Sequence, residues 1–154
     1  MQDSSVTYPH FAFTLLAGSK IVVSYQGKHP PQDHEIQNYC ELLRTLADQA
    51  DLRFLWYTEG HRPSREQQER LSSTAPKRQW RAALISPSAG MRFIVAAFSL
   101  INRNLRFFEP QELPQALRHL QCTYEEQSVV QTVLAELKHS IEASEPEPEI
   151  ARNA

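Results

Sequence analysis

The stretch from Arg78 to Phe108, RQWRAALISPSAGMRFIVAAFSLINRNLRFF, constrains the fold more than any other part of the chain. A short apolar run, Trp80 to Ile85, ends in Ser-Pro-Ser and passes into apolar residues spaced three and four apart from Ala89 to Ile101. A second run, Leu105 to Phe108, follows. That pattern is a strand, a crossover helix and a parallel strand. Met91, Ile94, Val95, Phe98 and Ile101 make one helical stripe, while Phe93, Ala96, Ala97 and Leu100 make the opposite side nearly as apolar. The pattern therefore predicts a largely buried helix.

Earlier in the chain, Phe11 to Leu16 and Ile21 to Tyr25 are β-rich runs joined by Ala17-Gly18-Ser19-Lys20, which reads as a hairpin. Pro30 and Pro31 end the ladder, and Asp33 is placed to cap an amphipathic helix reaching Ala50. Leu52 to Tyr57 is a third strand with large apolar groups on both faces. Ser64 and Gln67 form a capping-box pattern opening a mostly polar surface helix to about Ser73. After the central unit, Glu109-Pro110 opens a short helix to about Gln121. Thr123 with Glu126 caps a final one to about Ala143, striped by Val130, Val133, Leu134, Leu137 and Ile141.

The expected fold is α/β: a mixed, mainly parallel five-stranded sheet with an antiparallel edge hairpin, packed by helices, plus an extra C-terminal amphipathic helix. The expected divisions are a flexible lead at 1–7, a domain at 8–121, the added helix at 122–143 and a disordered acidic tail at 144–154. With 41% apolar and 22% charged residues, the composition is that of an ordinary globular domain. Cys40 and Cys122 suit buried thiols in a reducing cytoplasm. The first ten residues lack the pattern of a signal peptide, and no apolar run has the length to cross a bilayer.

Three stretches carry a resemblance: the hairpin, LWYTEGHRPSREQQERL, and AALISPSAGMRFIVAAFSLINRNLRFFEPQELPQALRHL. Together with the order of elements they resemble the STAS domain of bacterial anti-sigma factor antagonists, and more narrowly the single-domain STAS-like proteins grouped with lipid carriers of the CRAL-TRIO type. The resemblance spans roughly Phe11 to Leu120. It implies a non-catalytic, cytoplasmic regulatory module that binds a protein partner, such as a kinase or an anti-sigma-like signalling protein. In antagonist members a serine at the start of the helix after the third strand is phosphorylated. Ser64 occupies that place, with Thr58 as second choice, although the usual Asp-Ser-Ser/Ala-Gly string is replaced by Thr-Glu-Gly-His-Arg-Pro-Ser.

From the residues themselves, a phosphate on Ser64 would meet free helix N–H groups beside Arg62 and Arg65, whereas the plain alternative is a helix cap. Arg62, Arg65, Arg70, Lys77, Arg78 and Arg81 outnumber Glu66 and Glu69, which suits docking of an acidic partner or, equally, a solvated face with pairs such as Glu66–Arg70. His61, Arg62, Arg65, Arg70, Ser88 and Arg92 are the candidate partner-binding residues. The final helix either closes back on the domain or pairs with a second copy through Val130, Val133, Leu134, Leu137 and Ile141.

Other classes find less support. The histidines are scattered, with no H-x-x-x-H or C-x-x-C, so neither metal nor cofactor is expected. Nucleic acid is not an expected partner, since aromatic residues are not interleaved with the basic ones. There is no G-x-x-x-x-G-K-S/T or G-x-S-x-G string, and an enzyme would rest on His61 with Glu59 alone. A carrier or sensor of a small apolar or anionic ligand is the main alternative to the module. It requires a cavity of several hundred Å3 lined by aromatic residues, where the module requires a close-packed interior.

Overall fold

In the computed structural model, which describes residues 3–74 and 80–144, the chain forms a six-stranded mixed sheet packed by five α-helices among those residues. The strands lie in chain order: β1 (Ser4–Thr7), β2 (Phe11–Leu16), β3 (Ile21–Gln26), β4 (Arg53–Thr58), β5 (Arg81–Ile85) and β6 (Leu105–Phe108). The first three are antiparallel neighbours, and β3 through β6 are parallel. The helices are α1 (Asp33–Thr45), α2 (Arg65–Thr74), α3 (Ala89–Ser99), α4 (Leu113–His119) and α5 (Tyr124–Ser144), with a short 3-10 turn at Pro110–Glu112.

The sixth strand corrects the expectation of a flexible lead. Ser4 to Thr7 pairs with Leu15 to Ala12, Ser5 Oγ lies 2.9 Å from Thr14 Oγ1, and the Asp3 carboxylate accepts the Ala17 N–H at 2.7 Å. With Val6 as its one large apolar residue, SSVT carries almost no strand signal, and the adjacent edge supplies the order. Helix α1 also ends earlier than its periodicity predicts. Leu46 is its C-cap, and Asp51 takes a left-handed φ of 62° as the chain turns toward β4. Its N-cap is Gln32 rather than Asp33, whose carboxylate instead accepts from Gln67 Nε2 at 2.8 Å.

Sheet topology decides where the helices go. From β3 to β6 every crossover steps in the same direction across the sheet, so right-handed connections place α1, α2 and α3 on one face. The opposite face would be bare without the helices that follow β6. α4 and α5 cover it, burying Leu117, Leu120, Val130, Leu134, Leu137 and Ile141 against Ile21, Val23, Leu55 and Ile85. The stripe considered for a dimer is thus consumed within the chain, and Val133 packs at its margin. The tail expected to be disordered falls outside the described residues beyond Ser144.

The central helix is also less buried than its composition predicts. Met91 and Val95 are inside, but Phe93 is 75% and Leu100 86% exposed. Lying over β6 at the margin of the sheet, α3 has a neighbour on one side only.

Candidate functional site

The three crossover helices do not share their face equally. α1 brings Tyr39, Leu43 and Leu46 onto Phe11, Phe13 and Val22, and α3 brings Met91 and Val95 down at the far side. Between them, α2 (REQQERLSST) has one residue buried, Gln67, whose Nε2 donates to Pro31 O at 3.0 Å and so holds α2 against α1. Leu71 is its one large apolar side chain. A helix this polar cannot fill the space over β4 and β5, and a cleft of about 470 Å3 remains there.

Its floor is two registered strand pairs, Phe54 with Ala82 and Trp56 with Leu84. One wall is Tyr39, Leu43 and Leu71; the other is Met91, Ile94, Val95 and Phe98. Trp80 stacks on Phe54 with ring centroids 4.8 Å apart, and Trp56 meets Tyr39 edge-on at 5.2 Å. The polar side chains in the described lining are Gln26, Asn102 and the Tyr39 and tryptophan rings, and none is charged. Gln26 donates to His61 O at 2.9 Å, Asn102 to Trp80 O at 2.8 Å and Trp80 Nε1 to Gln49 O at 3.3 Å. Trp56 Nε1 is buried without a partner. Burial pushes the Tyr39 hydroxyl well above the usual tyrosine range, keeping it neutral.

The candidate partner-binding residues assemble only in part. Gly60, at φ +117°, sits so close to the α3 N-terminus that an added Cβ would lie 2.8 Å from Ser88 Cβ. An added Cβ on Gly90 would lie 2.8 Å from an Arg62 Nη2. Arg62 and Ser88 therefore belong to one corner at the carboxyl ends of the parallel strands, with exposed His61 and Ser64 beside them. Ser64 Oγ accepts the Gln67 N–H at 3.1 Å and Gln67 Oε1 accepts the Ser64 N–H at 3.0 Å, the expected capping box. Thr58 is fully buried with Oγ1 accepting the Gly60 N–H, which leaves Ser64 as the exposed hydroxyl of the two acceptor candidates.

The basic patch does not assemble as a unit. Arg65 pairs with Glu69 and Arg70 with Glu66 along exposed α2, the solvated-face arrangement. Arg81 reaches His119 O across the sheet at 3.4 Å, and Lys77 and Arg78 lie outside the described residues. Arg92 pairs with Glu109 at 3.3 Å and lies over the Phe107 ring. The titratable pair singled out for catalysis divides as well. Glu59 accepts the Tyr25 hydroxyl at 2.7 Å, His61 is exposed, and neither lines the cleft.

The cleft residues Tyr39, Phe54, Trp56, Ala82 and Leu84 were not singled out as a site by the sequence reading. The signal that could have found them is indirect: a crossover helix with one large apolar residue, set between two apolar helices, cannot cover its share of sheet. No family model, no curated protein and no solved structure matches the chain. Among the described residues, no helix is long and apolar enough to cross a membrane.

Proposed function

We propose that this chain is a cytoplasmic binding module of STAS type, without turnover, whose helical-face cleft holds a small, neutral, largely apolar molecule. The observation carrying this reading is the 470 Å3 cleft, floored and walled by aromatic and aliphatic side chains and free of charge in its described lining. That volume falls in the range of small-molecule sites. A close-packed interior would have favoured a module that recognises protein alone, and a cation in the lining would have favoured an anionic ligand. The STAS assignment is supported by the antiparallel start and the three parallel crossovers stepping one way across the sheet.

The experiment is native mass spectrometry of the purified full chain, followed by titration with a fluorescent neutral apolar probe. Saturable binding at one site, lost in Ala82→Phe while the fold persists, supports the carrier or sensor reading. Absence of probe binding, or binding unchanged in Ala82→Phe, contradicts it.

A second reading, docking of a protein partner at the Arg62–Ser88 corner with Ser64 as a phospho-acceptor, is favoured by the close approach of Gly60 to Ser88 and of Arg62 to Gly90. Reversing Arg62 to Glu would weaken capture of such a partner, most clearly at low salt. Because α5 is spent on the sheet, this docking needs no second copy through the C-terminal helix.

A further inference from the structure

The polar groups of the cleft are not committed evenly along its length. At its amino end, where β5 and β6 begin, the Asn102 amide is satisfied at both atoms: Nδ2 donates to Trp80 O, and Oδ1 accepts the Asn104 N–H at 3.0 Å. Trp80 Nε1 donates to Gln49 O. These groups have no hydrogen bond left to offer a ligand, and Phe54, Phe98 and Leu105 make the rest of that end apolar.

The carboxyl end differs. Gln26, the last residue of β3, lines the cleft and is only 1% exposed. Because a carbonyl can only accept, the bond to His61 O fixes which amide atom is the nitrogen, and Oε1 is left as an acceptor that no described residue meets. On the neighbouring strand Trp56 also lines the cleft, and its Nε1, which can only donate, has no acceptor among the described residues. Ser24, registered beside Trp56 on the same sheet face, carries a buried hydroxyl that is likewise unpaired. Tyr39 meets the Trp56 ring edge-on and adds a neutral hydroxyl to this wall. Ser24 Oγ and Trp56 Nε1 lie behind the surface and keep it polar; Gln26 Oε1 is the group positioned to meet a ligand. Buried hydrogen-bonding capacity left unmet is costly, and here it is concentrated at one end of one cleft.

We infer that the ligand of this cleft is an apolar alcohol or phenol. Its one uncharged hydroxyl donates to Gln26 Oε1 at the carboxyl end, beside Tyr39 and Trp56, and its hydrocarbon body lies toward Phe54, Trp80 and Phe98. A few placed polar groups in an otherwise apolar pocket fix a ligand's orientation in this way. A carboxylate or an ammonium is disfavoured, because the described lining holds no charge to pair it. A plain hydrocarbon would leave Oε1 unmet. This inference rests on the occupancy of the cleft proposed above, and it adds the class of the ligand and the direction in which it is seated.

The test compares the affinities of the full chain for naphthalene, 2-naphthol and 2-methoxynaphthalene at neutral pH, where all are uncharged. The expected result is 2-naphthol bound about ten-fold tighter than naphthalene, the effect of one well-placed hydrogen bond. The methoxy compound has no hydrogen to donate and should bind like naphthalene. In Gln26→Leu the preference for 2-naphthol over naphthalene should disappear; taking the ratio within one variant cancels any change in the shape of the cleft. Should Gln26→Leu fail to fold, the comparison of naphthol with its ether on the wild type decides alone. Equal affinity of the wild type for naphthalene and 2-naphthol overturns the inference and leaves the occupied cleft standing. So does an ether bound as tightly as the naphthol, or a preference that survives in folded Gln26→Leu. Failure of all the probes to bind contradicts the cleft reading itself, and the inference with it.

Discussion

Arg53 on β4 and Glu126 in the first turn of α5 form a two-pronged ion pair, Nη2 to Oε1 at 2.8 Å and Nη1 to Oε2 at 3.0 Å. Arg53 also donates to Gln121 O at 3.2 Å, so one guanidinium joins the sheet to both the end of the preceding turn and the start of the last helix. Glu126 in addition accepts the Thr123 N–H at 2.9 Å, completing the N-terminal cap of α5. A helix needed to cover a whole sheet face is thereby fixed at its entry.

Replacing Glu126 by Gln keeps the shape but removes the charge, and it should destabilise the fold by about 1–3 kcal/mol. The pH dependence has a definite sign. Hydrogen bonding from Arg53 holds the Glu126 carboxyl below the usual carboxylate range, so the unfolded chain binds its proton more tightly than the native one. This stabilisation is complete at neutral pH and is lost as pH falls from the ordinary glutamate value of about 4.3 through the lower native one. Urea midpoints measured from neutral to acid pH should converge for wild type and Glu126→Gln; a constant gap would contradict the coupling.

Three tyrosines predict the opposite limb. Burial raises the hydroxyls of Tyr25, Tyr39 and Tyr57, with the Glu59 hydrogen bond and charge adding to the first and the Glu59 charge to the last. Their native forms hold protons more tightly than the unfolded chain, so their contribution is full below the ordinary value of about 10 and declines above it. Ultraviolet titration should show these tyrosinates emerging together with loss of tertiary structure. Smooth ionisation of all tyrosines near the ordinary value in a still-folded chain would contradict the burial.

The two glycines at the corner should respond differently. Gly60→Ala combines a positive φ with a 2.8 Å approach to Ser88 Cβ, and it should cost about 2–4 kcal/mol. Gly90→Ala meets only the far end of Arg62, which can swing away, while gaining helix propensity. Its thermal midpoint should stay near that of the wild type, with Arg62 displaced.

Ser64→Ala removes the cap of α2 and should cost about 1 kcal/mol in chemical denaturation. Ser64→Thr should recover most of it. A loss confined to partner capture, with unchanged stability, would show that Ser64 acts outside its capping role.

Much of this architecture was legible because its signals are local. The capping boxes at Ser64–Gln67 and Thr123–Glu126 and the strand-helix-strand pattern from Trp80 to Phe108 are written in adjacent residues. The misreadings arise where tertiary position overrides pattern. Ser4–Thr7 becomes a strand because β2 offers an edge, and α3 is exposed on one side because it lies over the last strand. The assumed basic patch separates because Arg81 belongs to a strand whose side chains alternate, which sends it to the face opposite α2. The cleft is least legible, since it results from what α2 lacks.

The central claim is that the space between α3 and the α1–α2 pair is a ligand site. Methyl-labelled NMR of the full chain titrated with naphthalene tests it directly. The account predicts saturable shifts at Leu43, Leu71, Leu84, Met91, Ile94 and Val95, with Val130, Leu134 and Leu137 under the other face unmoved. Shifts that never appear, or that are largest under α5, would contradict it.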